Sequence, residues 1–154
     1  MMSLCCEVVK VLAGKTFSTA ESCTGGGIGN ALTAVPGSSS VYKGGIVSYC
    51  NEIKHKLLGV SECDLQNHGA VSAQVAQAMA VGARKILNTD VAVSVTGLAG
   101  PGGDEFGNPV GMVYVGYSDS ACTVSRGYVF SGDRESVRVQ AINAALKLVL
   151  EMNQ

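Results

Sequence analysis

"TFSTAESCTGGGIGNALTA", residues 16–34, joins a short β-type run, a glycine-rich turn and a helical pattern. Residues 16–20 predict a strand. The turn leads into a helix near Gly26–Ala34, which ends before Pro36 because a proline disfavours the helical conformation of the residue before it. A strand that passes through a glycine turn into a helix indicates a sheet with helices packed against it.

The rest of the chain continues this alternation and adds a late hairpin. We predict a helix over residues 3–13 with Ser3 as its cap, a strand over 41–49 and a short helix from an Asn51 cap through Leu58 to Gly59. A longer helix follows from Ser72 to Leu87, with a buried stripe of Val75, Met79, Gly82, Ala83 and Ile86. We then predict a buried strand over 90–97, a hairpin of 111–117 and 122–130, and a last helix capped by Asp133 that buries Val137, Ile142, Ala145, Leu146 and Val149. This order predicts an α/β fold, a three-layer α/β/α sandwich with a mixed β-sheet, and one domain over residues 1–154.

Charge and composition exclude several classes of protein. The 11 basic residues are scattered among 12 acidic ones, so no basic stripe indicates nucleic-acid binding. No apolar stretch approaches the roughly 20 residues that cross a bilayer. The six cysteines form no C-x-x-C pair and no zinc pattern with His55 or His68, so we predict no metal site. The opening residues lack the features of a signal peptide, and we therefore expect a cytoplasmic protein with reduced thiols.

The turn "AESCTGGG", residues 20–27, carries the first candidate chemistry. Free backbone N–H groups at a helix start can bind an anion or an oxyanion, and a hydroxyl placed there is a candidate nucleophile. The glycine pattern matches neither the dinucleotide fingerprint nor the phosphate-binding P-loop. Taken alone, the stretch favours a simpler interpretation, in which Ser22 or Thr24 caps the helix and the glycines allow tight packing.

Three other stretches are candidates for the same site. "YCNEIK" places Lys54 one turn into a helix, where a desolvated amine can act as a general base, although a solvated helix face is the more common outcome. "TGLAGPGG", residues 96–103, follows a buried strand, and ligands of open α/β sheets bind beyond strand ends. In "FSGDR", Arg134 lies in the first turn of a helix, where the helix dipole makes a positive charge unfavourable. An anion bound there would offset the charge of Arg134. Neither histidine has an evident hydrolase partner, so a Ser-His-Asp triad is not expected.

Taken together, the chain resembles the CinA C-terminal domain family. The resemblance rests on "AESCTGG", "YCNEIK", "HGAVSAQVAQAMAVGA", "TGLAGPGG", "NPVG" and "FSGDR", which occur in this order from about residue 15 to the end of the chain. It implies a three-layer α/β/α fold with a mixed sheet. It also implies an amidase that hydrolyses nicotinamide mononucleotide to nicotinate mononucleotide and ammonia in pyridine nucleotide recycling, without a cofactor or a metal.

The resemblance also implies roles for particular residues. Ser22 is the expected nucleophile, and Lys54 and Tyr49 are expected beside it as proton-transfer groups. The residues expected to contact substrate or line its pocket are Glu21, Cys23, Thr24, Gly25, Gly26, Thr96, Gly97, Gly100 and Arg134. Arg134 and the glycine loop are expected to hold the phosphate. Which of Lys54 and Tyr49 is the general base stays open at this stage.

The chain departs from the family pattern at two places. Cys50 stands where the family more often has serine, and "DEFGN", residues 104–108, replaces the usual loop with its lysine. Asp104 and Glu105 add negative charge near a site expected to take a phosphorylated substrate. The alternative function is a non-catalytic module that binds a pyridine nucleotide or a related phosphate, because fold does not guarantee activity. The apolar composition leaves surface for self-association, so a homo-oligomer also stays open.

Overall fold

A computed structural model describes all residues from Met1 to Gln154 as six α-helices around one five-stranded sheet. In chain order the elements are α1 (Met2–Val11), β1 (Phe17–Glu21), α2 (Gly27–Thr33), a 3-10 turn (Ser38–Ser40), β2 (Tyr42–Val47), α3 (Asn51–Leu58), α4 (Glu62–His68), α5 (Ala73–Leu87), β3 (Val91–Gly97), β4 (Met112–Ser118), β5 (Thr123–Val129) and α6 (Arg134–Asn153). No helix is both long enough and apolar enough to cross a membrane.

The sheet is mixed, as predicted. Its strand order is β2-β1-β3-β4-β5. Strand β1 pairs in parallel with β2 and with β3. Strand β4 pairs antiparallel with both of its neighbours, β3 and β5. All five residues of β1 are buried, which is typical of a parallel strand covered by helices on both faces.

Two hydrophobic clusters fill the spaces on the two sides of the sheet. The larger joins α1, α2 and α6 to one face, with Phe17 of β1 and Val93 of β3 among its members. The smaller joins α3, α4 and α5 to the other face through Ala20 and Ala92. Side chains of neighbouring positions in a strand point to opposite faces, so β1 and β3 contribute to both clusters. The predicted three-layer α/β/α sandwich is therefore confirmed.

The parallel strands bring three chain segments to one edge of the sheet. Glu21, the last residue of β1, is level with Val47 of β2 and Val95 of β3. The residues that follow these positions therefore emerge side by side. This edge is the carboxyl end of the parallel strands, where open α/β sheets bind ligands.

Three caps were predicted, Ser3, Asn51 and Asp133, and only Asp133 is confirmed. Asp133 Oδ1 accepts from Ser136 N at 2.9 Å. Ser72, which was not predicted as a cap, caps α5, where its Oγ accepts from Val75 N at 3.3 Å. Ser3 does not cap α1, because it lies inside that helix and its hydroxyl donates to Glu7.

Three features of the helices differ from what the sequence predicted. The cap position of α3 is Cys50, and Asn51 is the first helical residue. Ile86 is 53% exposed, outside the buried stripe of α5. Helix α4 was not predicted, because its sequence ECDLQNH is polar and only Leu65 is buried.

Gly82 offers a test of how closely α5 packs against α3, the helix that carries Lys54. A Cβ atom at Gly82 would lie against the carbonyl oxygen of Leu58 and 2.7 Å from its carbonyl carbon. We expect Gly82→Ala to lower the free energy of unfolding by about 2 kcal/mol, despite the better helix propensity of alanine. Urea denaturation measures this change.

The matched control is Gly102→Ala, since no atom lies within 4 Å of a Cβ there. We expect its free energy of unfolding to stay within about 0.5 kcal/mol of the original. Equal stability of the Gly82→Ala protein and the original would contradict the close approach of α5 and α3.

Candidate active site

A cavity of about 690 Å³ opens at the carboxyl edge of the parallel strands. It lies between the turn after β1, the start of α3 and the long loop after β3. The predicted site residues that line it are Ser22, Cys23, Tyr49, Lys54, Thr96, Gly97, Gly100 and Arg134. Its size is within the usual range for a small-molecule site.

Ser22 and Lys54 are in direct contact at the floor of this cavity. The Lys54 amine is 2.9 Å from Ser22 Oγ, 2.8 Å from the carbonyl oxygen of Ser48 and 3.2 Å from that of Tyr49. Only 1% of Lys54 is exposed. Burial lowers the pKa of Lys54 from 10.5 to about 8, and the nearby Cys50 and Cys23 thiols oppose this only in part.

The contacts of Lys54 suit a neutral amine as a base. A neutral amine has two N–H donors and one lone pair. The two carbonyl oxygens of Ser48 and Tyr49 can accept the two N–H bonds, which leaves the lone pair to accept the hydroxyl proton of Ser22. A base within hydrogen-bond reach of a hydroxyl is the arrangement that activates a serine nucleophile. Of the two candidates for the general base, the geometry favours Lys54.

The turn after β1 fixes the backbone of Ser22. Its N–H donates to Val95 O at 3.0 Å, and its carbonyl oxygen accepts from Gly25 N at 3.1 Å. The next two amides, those of Cys23 and Thr24, donate to no protein group among the hydrogen bonds of the structure. Unpartnered N–H groups beside a nucleophile can stabilise an oxyanion.

Glu21 explains why a carboxylate precedes the serine. It is almost fully buried, and its Oε1 accepts from Thr24 Oγ1 at 2.7 Å and from Ile28 N at 2.8 Å. Its Oε2 accepts from Gly29 N at 3.1 Å. The carboxylate therefore occupies the N-terminus of α2, whose free N–H groups could otherwise bind an external anion.

Glu21, Thr24, Gly25 and Gly26 do not line the cavity, so their predicted contacts with substrate stay predictions. Gly25 and Gly26 have φ values of +60° and +97°, which favour glycine, and they form the turn that leads into α2.

The loop from residue 97 to 109 forms the opposite wall and is tied to the body of the fold. Asp104 Oδ1 accepts from the N–H groups of Phe106 and Asn108, both at 3.1 Å. The Asn108 amide donates to Asp104 Oδ2 and to Val71 O. The ring of Phe106 lies against Gly69, where a side chain would collide with it. The loop is thus an ordered wall, and Asp104 and Glu105 are part of the lining.

Arg134 and Tyr49 form the rim of the cavity. Arg134 Nη1 donates to Gly100 O at 2.6 Å, and its Nη2 donates to the Tyr49 hydroxyl at 3.1 Å. Tyr49 is 62% exposed. Its hydroxyl therefore contacts Arg134 and not Ser22 or Lys54, and only its main-chain carbonyl contacts the lysine.

Thr96 and Gly97 continue β3 along the floor. The Thr96 hydroxyl donates to Ala70 O at 2.7 Å, which ties β3 to the segment before α5. At Gly97 a Cβ would lie 2.6 Å from a methyl group of Val113, so the pairing of β3 with β4 requires glycine there. Both residues line the cavity as predicted.

Sequence reasoning missed several residues of the site. Arg138 donates through Nε to Cys23 O at 3.0 Å and through Nη2 to Thr24 O at 3.3 Å. Its position four residues after Arg134 was an available signal, because such residues share a helix face. Asn51 and Phe106 also line the cavity. The contacts of Lys54 with main-chain carbonyls have no sequence signal.

The histidines and cysteines form no second centre. His55 Nδ1 is 2.8 Å from Val60 O, and all six cysteines are free thiols. No group of three or more His, Cys, Asp or Glu side chains comes together in the way a metal ion needs.

Comparison with known proteins identifies the family. A family model described as the CinA C-terminal domain matches residues 3–153. A CinA-like protein of Endomicrobium trichonymphae is 50% identical over 135 residues, which cover 88% of this chain and 32% of that protein. A CinA-like protein of Rippkaea orientalis is 51% identical over 136 residues, 86% of this chain and 33% of the relative. The chain thus spans about a third of the length of these curated relatives.

Solved structures show the same fold over the whole chain. The competence damage-inducible protein A from Klebsiella pneumoniae has a TM-score of 0.95 and 36% identity, with 97% of this chain and 94% of that chain covered. The competence/damage inducible protein from Agrobacterium tumefaciens has a TM-score of 0.95 and 37% identity, with 99% and 95% covered. The family model and these likenesses agree, and the chain belongs to the CinA C-terminal domain family.

Proposed function

We propose that this chain is an amidohydrolase that converts nicotinamide mononucleotide to nicotinate mononucleotide and ammonia. The observation that carries the proposal is the 2.9 Å contact between Ser22 Oγ and the buried Lys54 amine at the floor of a cavity of substrate size. Membership of the CinA C-terminal domain family supports the choice of substrate, because the family resemblance implies this amidase activity.

In the first half of the reaction, Ser22 Oγ attacks the carboxamide carbon while its proton moves to the neutral Lys54 amine. The N–H group of Cys23, which lines the cavity and donates to no protein group, is available to stabilise the oxyanion that forms. The Lys54 ammonium then gives its proton to the departing amide nitrogen, which leaves as ammonia. The product at this stage is an ester between Ser22 and the nicotinate carbonyl.

In the second half, Lys54 takes a proton from water, and the water oxygen attacks the ester. Return of that proton to Ser22 Oγ releases the nicotinate nucleotide. Lys54 serves both halves, so we assign to it the proton transfer to ammonia as well, and Tyr49, the other expected proton-transfer group, is not needed for this step. Tyr49 instead helps to orient Arg134, through the contact between its hydroxyl and Nη2.

The phosphate of the substrate has a place at the rim of the cavity. Arg134 lies there, and the N–H groups of Gly100, Gly102 and Gly103 donate to no protein acceptor. Backbone amides together with a guanidinium form a good phosphate site. Asp104 already accepts three hydrogen bonds within its own loop, which satisfies much of its carboxylate without a ligand.

Removal of the Ser22 hydroxyl tests catalysis directly. We expect Ser22→Ala to lower ammonia release from nicotinamide mononucleotide by about a thousandfold or more, because the nucleophile is lost. Binding of the nucleotide, followed by calorimetry, is expected to change little. Ser18→Ala is the matched control, since Ser18 is a buried serine of β1, the strand that ends just before Ser22, and its hydroxyl bonds to Thr89.

Two outcomes would overturn this proposal in different ways. Saturable nucleotide binding without ammonia release by the unmodified protein would favour the non-catalytic binding module. Full turnover by the Ser22→Ala protein would show that another group attacks the amide.

The pH dependence of the reaction tests the role of Lys54. The amine must be neutral to accept the Ser22 proton, and its pKa is lowered to about 8. We expect kcat/KM to rise about tenfold per pH unit up to about pH 8 and to level off above it. The Lys54→Met variant should lose activity at every pH. A flat profile between pH 6 and 9 would contradict this role.

A further inference from the structure

Arg138 connects the last helix to the turn that carries Ser22. It lies in the second turn of α6, yet its guanidinium donates to the carbonyl oxygens of both Cys23 and Thr24, at 3.0 and 3.3 Å. It does not line the cavity. A direct contact with substrate therefore does not account for this arginine.

Helix stability does not account for it either. Helix α6 begins at Arg134, so Arg138 and Arg134 are two cations, four residues apart, near the positive end of the helix dipole. Cations at that end and like charges at this spacing are both unfavourable, by a few tenths of a kcal/mol or more each. Arg134 directs its side-chain hydrogen bonds to Gly100 and Tyr49, which line the cavity, and Arg138 directs its hydrogen bonds to the turn that follows Ser22. The hydrogen bonds of Arg134 and Arg138 to these residues, and not the stability of α6, therefore explain the two arginines.

The two carbonyls determine where the neighbouring N–H groups point. In a planar trans peptide, the N–H of one residue points away from the carbonyl oxygen of the residue before it. The Thr24 carbonyl held by Arg138 thus directs the Gly25 N–H to the opposite side, where it donates to Ser22 O. The Cys23 N–H points away from that Ser22 carbonyl. The amides of Cys23 and Thr24 have no protein acceptor, while Ser22, just before them, is fixed by Val95. Arg138 completes this fixation on the other side of the nucleophile.

We propose that Arg138 is a positioning residue. It holds the Cys23 and Thr24 carbonyls and, through the hydrogen bond from Gly25 N to Ser22 O, the Ser22–Cys23 peptide group, so that the Cys23 N–H stabilises the oxyanion formed at Ser22. This inference rests on the proposed function in one respect, the assignment of Ser22 as the nucleophile. Arg138 acts through the backbone and touches no reacting atom. Its loss should therefore reduce the rate of the chemical step without weakening the binding of substrate.

The test replaces Arg138 by methionine, which keeps an unbranched side chain of similar reach and removes every donor. We expect Arg138→Met to lower kcat on nicotinamide mononucleotide by about 10- to 100-fold, with KM within about twofold of its original value. Arg138→Lys restores one donor and should recover part of kcat.

The matched control is Arg84→Met. Arg84 also donates to two backbone carbonyls, those of Asp119 and Thr89, and neither residue lines the cavity. We expect Arg84→Met to lower the melting temperature about as much as Arg138→Met does, with kcat nearly unchanged. This comparison separates positioning from a general loss of stability.

A second readout does not depend on the natural substrate. A fluorophosphonate probe reacts with an activated serine, loses fluoride and places its phosphoryl oxygen where the oxyanion would lie. Intact-mass measurement follows its attachment. We expect the unmodified protein to be labelled at Ser22, the Arg138→Met protein to react at least tenfold more slowly, and the Ser22→Ala protein not to react. If labelling follows this order but ammonia is not released, only the proposed substrate fails.

Three results would overturn the inference. One is a kcat and a labelling rate in Arg138→Met within twofold of the original. Another is an equal loss of kcat in Arg84→Met and Arg138→Met. The last is an unmodified protein that neither releases ammonia nor reacts with the probe at Ser22.

Discussion

The Lys54 amine has three oxygen neighbours and almost no contact with water, and the chemistry of the site depends on this arrangement. A fall in pKa from 10.5 to about 8 corresponds to about 3 kcal/mol in favour of the neutral amine. The folded chain therefore carries a protonated, poorly solvated ammonium below about pH 8. The contribution of this group to stability is least favourable there and improves as the pH rises toward 10.5, since the unfolded chain then binds the extra proton.

The rest of the fold holds this amine against Ser22. Parallel pairing of β1 with both neighbours brings the residues after β1 and β2 to one edge of the sheet. Helix α3 begins just after β2 and carries Lys54 in its first turn. Close contact between Gly82 of α5 and Leu58 at the end of α3 fixes the position of α3 against α5. From the other face of the sheet, α6 adds Arg134 and Arg138, which tie the rim and the Ser22 turn together.

The fold was predictable because its signals are local. The continuous apolar run of β3, the Asp133 cap and the glycine turn after β1 all appear in short stretches of sequence. Helix α4 escaped prediction because a polar seven-residue segment with one buried leucine gives little periodic signal. Its stability comes from packing that the sequence does not display.

The site was predictable in its members more than in their contacts. The motifs and the family resemblance brought Ser22, Lys54, Thr96 and Arg134 together, and all four line the cavity. They gave no sign that the Glu21 carboxylate would accept hydrogen bonds at the N-terminus of α2 and leave no room there for a ligand. This outcome depends on the orientation of the Glu21 side chain, which the sequence does not display. The carbonyls that surround Lys54 and the reach of Arg138 from α6 to the turn after Ser22 are likewise properties of the three-dimensional fold.

The most direct test of the account is the titration of Lys54 itself. In protein labelled with ¹³C-lysine, the Cε signal of Lys54 is assigned as the one missing from the Lys54→Met protein, and its chemical shift is followed by NMR from pH 6 to 11. The account predicts a midpoint near pH 8, well below the ordinary lysine value of 10.5. A midpoint near 10.5 would show an amine that stays protonated at neutral pH and cannot serve as the base for Ser22.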